Sequence, residues 1–178
     1  MKNFKPILTA MSLCMALAAA AAPVRQHLHD DWQFRQARLN NWYPATVPGT
    51  VHTDLMANRI IEDPYFRLNE RGVQWVDKED WIYEVSFDAG TLTRGYEHVR
   101  LEFLGLDTYA DVFLNETRIL TADNMFRRWA AEVKPLLKER GNVLRVYFHS
   151  PINKALPQYE SLPYRYAVSY THLTLPTT

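Results

Sequence analysis

The stretch that most constrains the fold is 98–120, HVRLEFLGLDTYADVFLNETRIL. Val99, Leu101 and Phe103 alternate with Arg100 and Glu102. After a break at Gly105, where the backbone turns a corner, Ala110, Val112 and Leu114 resume the same period of two. That period puts alternate side chains on a buried face and in water, so it specifies strands with one packed side. Asn115-Glu116 stands where a hairpin turn falls before the strand at 117–120, and asparagine tolerates the positive φ that tight hairpins need. A chain with this segment at its centre is committed to antiparallel β structure.

The flanking sequence extends the pattern. Trp32 to Arg35 alternates and predicts a first strand. Residues 40–49, NNWYPATVPG, contain prolines that cannot donate to a sheet ladder, which excludes a central strand there. Residues 50–57 predict a short helix with Thr50 as N-cap and Val51, Leu55 and Met56 on one side. Residues 60–72 read as a loop, with Tyr65-Phe66 expected to pin it to the body. A strand is expected at 81–88 with Tyr83, Val85 and Phe87 on one face, followed by a turn at 89–95. Another strand is expected to begin with the residues 124–129. After a tight connection at 136–142 comes a last one at 143–149, with Leu144, Val146 and Phe148 facing in. The piece at 157–164 reads as irregular, rich in proline and aromatic residues. Short strands about ten residues apart, with no long helix between them, define an all-β, antiparallel sandwich.

The 178 residues suit one domain after removal of a targeting segment. Lys2 and Lys5 precede an apolar run at 7–18 and the small residues Ala19-Ala20-Ala21, the layout of a signal peptide helix cut near Ala21. The run is short for a membrane span. The expected location is therefore outside the cytoplasm, periplasmic or extracellular. Cys14, the only cysteine, lies in this segment behind Leu13, a residue larger than lipoprotein processing normally accepts. Disulfides and thiolate metal sites are thereby excluded from the mature chain. Twenty basic residues balance twenty acidic ones without a charged block, so no nucleic acid and no anionic membrane is expected as a partner. The expected layout is 1–21 signal peptide, 22–167 sandwich, and 168–178 an anomalous tail. That tail, VSYTHLTLPTT, reads either as an edge strand or as foreign to the domain.

Several phrases together carry a family resemblance. Residues 42–55, WYPATVPGTVHTDL, resemble the opening of the sugar-binding domain of glycoside hydrolase family 2, as do Asp63-Pro64-Tyr65 and Asp80-Trp81-Ile82-Tyr83. The phrase at 103–110, FLGLDTYA, followed by Val112 to Asn115, is the strongest match. Asn124-Met125-Phe126-Arg127, Gly141-Asn142-Val143-Leu144 and Ser150-Pro151 complete it. The balance lies closest to the β-mannosidase branch. The resemblance covers roughly Leu28 to Tyr164 and implies a jelly-roll sandwich of the galactose-binding type, the first domain of a longer exo-acting enzyme. In that family a (β/α)₈ barrel supplies both catalytic glutamates for retaining hydrolysis. This chain is expected to be an N-terminal fragment that stops before the barrel and before the family's Trp-Asp-Trp-Gly segment. Its oligosaccharide substrate would then be met through the missing barrel. Rival assignments are a stand-alone carbohydrate-binding or interaction module, and the same domain from a β-galactosidase or β-glucuronidase type of enzyme.

No catalytic residue is assigned within the chain. Asn69-Glu70 and Asn115-Glu116 imitate the family's acid/base dipeptide but sit in a loop and a turn. Trp75, Lys78, Asp80 and Trp81 are the candidate substrate-binding residues, a rim combining aromatic faces with charged groups suited to sugar hydroxyls. The competing assignment places Trp81 in the core, Trp75 over a sheet edge, and Lys78 and Asp80 in water. Trp42 and Trp129 read as core or interface residues. His27 and His29 are the only close histidine pair, and no ligand spacing supports a metal site. Asp107 is expected to fix the Gly105 corner by bonding backbone rather than to bind calcium. No cofactor is expected, because there is neither a phosphate-binding glycine loop nor a Gly-x-Ser-x-Gly elbow.

Overall fold

The computed structural model describes residues 23–163. The expected signal peptide and the tail at 168–178 lie outside them. Among the described residues, eight strands form two antiparallel sheets. They are β1 (Gln33–Gln36), β2 (Tyr43–Pro44), β3 (Trp81–Phe87), β4 (Arg100–Phe103), β5 (Ala110–Leu114), β6 (Thr117–Ala122), β7 (Trp129–Glu132) and β8 (Asn142–Phe148). The large sheet runs β2-β1-β3-β8-β5-β6, and β4 pairs with β7 in the small one. Register aligns Phe34, Tyr83, Val146, Val112 and Leu120 in one row across the large sheet. Phe34 and Val112 in that row are completely buried. The core therefore sits on this inner face, covered by partly buried Leu101, Phe103 and Trp129 of the small sheet. The antiparallel sandwich expected from strand spacing is the observed architecture.

Local chemistry explains the elements. Asn115 and Glu116 adopt φ of 48° and 68°, the pair of positive values that closes a two-residue hairpin in the hand of twisted strands. The Asn115 side chain holds the turn by donating to the Leu136 carbonyl at 2.8 Å and accepting from the Val143 N–H at 3.0 Å. Helix α1 (Val51–Ala57) starts at Thr50, whose hydroxyl accepts from the Thr53 N–H while the Thr53 hydroxyl accepts from the Thr50 N–H. Glycine is required just before it, because a Cβ on Gly49 would overlap the Thr46 carbonyl oxygen.

Four expectations are corrected. Tyr65 and Phe66 are not packed into the body: they are 64% and 56% exposed. Asp63 closes the loop on itself, accepting from the Tyr65 N–H and the Asn69 amide, and Val73 and Val76 are the buried anchors instead. The turn at 89–95 contains a short helix, α2 (Gly90–Gly95). The strand expected from 124 begins only at Trp129, because the Asn124 side chain accepts from the Phe126 N–H and bends the chain first. The proline-rich stretch is helical as far as Glu160: α3 (Pro151–Glu160) begins at the Ser150 cap, has Pro151 in its first turn, and tolerates Pro157 inside.

Candidate functional site

Strand direction gathers the loops that matter. β1 ends at Gln36 opposite the start of β3 at Trp81, and β8 ends at Phe148 opposite the starts of β3 and β5. Ala110 of β5 faces Ala122 at the end of β6, and Phe103 at the end of β4 faces Trp129 at the start of β7. The loops at 37–42, 73–80, 104–109, 123–128 and 149–150 therefore share one end of the sandwich. All of the rim candidates are at this end.

The four candidates divide into two pairs. Trp75 and Trp81 form a tilted aromatic pair with centroids 5.9 Å apart, continued by Phe34 at 5.9 Å from Trp81. Trp81 is 6% exposed and its indole N–H donates to the Val76 carbonyl, while Trp75 is half-buried against the core. Lys78 and Asp80 instead line an open depression of about 360 Å³ with Ala37, Arg38, Glu79, Tyr147 and Asn153. The Asp80 carboxylate accepts from the Tyr147 hydroxyl and the Ser150 N–H, both at 2.7 Å. The Ser150 hydroxyl donates to the Asp77 carbonyl, and the Asn153 amide donates to that of Lys78. Asp80 thus clasps the loop before β3 to the start of α3. Burial, reinforced by the bond to Asp80 and its charge, pushes the Tyr147 hydroxyl up to about 12.

Retaining hydrolysis needs two carboxyl groups about 5 Å apart that share a substrate, one of them as acid. Glu79 and Asp80 both line the depression, but Glu79 is ion-paired with Arg38 at 2.9 Å and both Asp80 oxygens accept bonds from the protein. Both carboxylates are thus engaged by the protein. Asn115 is a turn brace and Glu116 an exposed partner of Arg145. The other face of the large sheet carries the row Arg35, Ile82, Tyr147, Asp111 and Thr121, polar except for the buried Ile82. There Asp111 accepts from Thr121 at 2.6 Å and contacts His149 at 2.8 Å. Burial would raise the Asp111 carboxyl, but those bonds and the charges of His149 and Arg118 outweigh it and hold it below the usual range.

Sequence reading missed Asp54, which is 2% exposed on α1. It accepts from the Thr46 N–H at 2.9 Å and the Tyr83 hydroxyl at 2.8 Å, tying the segment after β2 to helix and sheet. Burial pushes its carboxyl up against those two bonds, and pushes the Tyr83 hydroxyl up as well, with the Asp54 charge adding to it. The available signal was an aspartate on the apolar side of a helix, next to Leu55. At the Gly105 corner, Asp107 accepts from the Thr108 hydroxyl, a side-chain bond where a backbone bond was expected. Among the described residues no group of three or more His, Asp or Glu side chains is placed to hold a metal ion.

The fold is an antiparallel sandwich with its longer loops gathered at one end. The sequence matches the family described as glycosyl hydrolase 2 galactose-binding domain-like over residues 32–177, and the chain belongs to that family. Within it, similarity runs to β-mannosidases. The β-mannosidase of Rattus norvegicus is 33% identical over 84% of this chain and 17% of its own length. The β-mannosidase B of Thermothelomyces thermophilus is 41% identical over 69% of this chain and 15% of its own. The crystal structure of a β-D-mannosidase from Dictyoglomus thermophilum superposes with a TM-score of 0.74 at 42% identity, covering 77% of this chain and 17% of that one. A β-D-glucuronidase from the same organism, 17% identical with a TM-score of 0.52 over 69% of this chain and 19% of its own, shares the fold alone. The chain spans 13–17% of the length of the first curated relatives it matches.

Proposed function

We propose that this chain is the N-terminal accessory sandwich of an exported, exo-acting, β-mannosidase-like glycoside hydrolase that removes terminal β-mannosides with retention. The catalytic carboxylates would come from a barrel later in the same polypeptide. The sandwich would brace that barrel and narrow its pocket to a chain end. The observation that carries this reading is the contrast in similarity, 42% identity to a β-D-mannosidase structure against 17% to a β-D-glucuronidase of the same organism. Export follows from the signal-peptide layout of 1–21.

Assay of the 178-residue chain on an aryl β-mannoside tests the accessory role. No turnover is expected from the chain alone, and turnover with release of β-mannose first is expected once its reading frame is extended through a barrel. Clear activity of the short chain would overturn this division of labour. Calorimetric titration with mannose and manno-oligosaccharides should show no saturable heat; millimolar or tighter binding would favour a stand-alone module instead.

A further inference from the structure

Two crossings run side by side between the sheets. Residues 104–109 lead from β4 in the small sheet to β5 in the large one, and 123–128 return from β6 to β7. A Cβ on Gly105 would stand 3.2 Å from the Met125 carbonyl oxygen, so the two arches touch. Their tips expose large apolar side chains, Leu104 at 75% and Phe126 at 89%. The backbone N–H of Phe126 donates to the Asn124 side chain at 2.8 Å, which fixes the turn that carries the ring. The Arg127 guanidinium lies 4.2 Å from the Trp129 ring centroid, and Arg128 is exposed beside it. A protruding aromatic on a constrained turn is the form of an interface anchor, because a receiving pocket buries the whole ring with little ordering cost.

We infer that Leu104 and Phe126 are the anchor by which this domain docks onto the polypeptide that follows it in the longer enzyme. The inference rests on the reading of the chain as an accessory domain. Length argues for that occupant, since the relatives are matched over only 13–17% of their own chains. Direction argues for it too. β8 leaves the sheet at Phe148, opposite Ala110 where the first arch enters β5, and the Asp80 clasp fastens Ser150 at this same end. Polypeptide beyond β8 therefore leaves the sheet at the arches' end, with α3 as its first element. Its complementary surface is an apolar pocket with an acidic rim facing Arg127 and Arg128.

The test replaces the first domain of the Dictyoglomus thermophilum enzyme with residues 28–163 and follows aryl β-mannosidase activity and its half-life on heating. The graft should be active. Leu104→Asp with Phe126→Asp should shorten the half-life by about tenfold or more, while Tyr96→Asp, at the opposite end, should keep it within about twofold. An active graft in which both variants inactivate alike overturns the anchor and leaves the accessory reading standing. A folded but inert graft overturns that reading and the anchor with it. If the graft does not assemble, aspartates at the positions superposing on 104 and 126 in the native Dictyoglomus enzyme decide the matter, and an unchanged half-life there rejects the anchor.

Discussion

Asp54 and Asp111 are carboxylates held in opposite senses, and they make opposite predictions. Burial raises Asp54, so the fold favours its protonated form. The associated stability is complete below the ordinary carboxylate value of about 4 and is lost as pH rises through the raised folded value. Asp111 is lowered overall, its partners outweighing burial, so its contribution is present above the ordinary value and lost as pH falls through the depressed one. Urea unfolding across about pH 2–7 should therefore respond differently to each variant. Asp54→Asn should flatten the loss on the rising side, and Asp111→Asn should remove the loss on the acid side. Wild-type slopes in both variants would contradict the assignment. Tyr83→Phe deprives buried Asp54 of its hydroxyl donor and should cost about 1–3 kcal/mol at neutral pH.

At the scale of elements, the β5–β6 hairpin depends on one side chain. Asn115→Gly keeps the positive φ but loses bonds to Leu136, Asn142 and Val143, and should cost about 1–2 kcal/mol. Asn115→Ala also forces a methyl-bearing residue to φ 48° and should cost about 1 kcal/mol more. Equal losses in thermal melts would show that backbone strain plays no part. Turn and cap were legible because asparagine and threonine act on atoms a few residues away. α3 was not: Pro157 counted against a helix, and the decisive contact, Ser150 to Asp77, spans the fold. The rim candidates were legible as a cluster in sequence, but β3 begins between their destinations. Trp75 and Trp81 turn to the core and Lys78 and Asp80 to the depression.

For the whole molecule, the edges and the arches govern behaviour in isolation. The large sheet ends in β2, blunted by Pro44, and in β6, which has no strand on its outer side among the described residues. With Leu104 and Phe126 unburied as well, the isolated chain should self-associate with rising concentration. Sedimentation velocity should show this for the wild type and show a more monomeric Leu104→Asp/Phe126→Asp double variant. A wild type that stays monodisperse at high concentration would refute the expectation.

The sequence by itself determined most of the strands, the Asn115 turn, the Thr50 cap and the family, because alternation, φ preference and capping operate over neighbouring residues. Only the tertiary structure decided that Asp54 is a buried tie, that Asp80 is a clasp, that Tyr65 and Phe66 are exposed, and that the Met125 carbonyl stands beside the Gly105 corner. Each of these depends on which distant strands pair and which surfaces they cover. Burial and partnership are properties of the packed sheets, and no local pattern carries them.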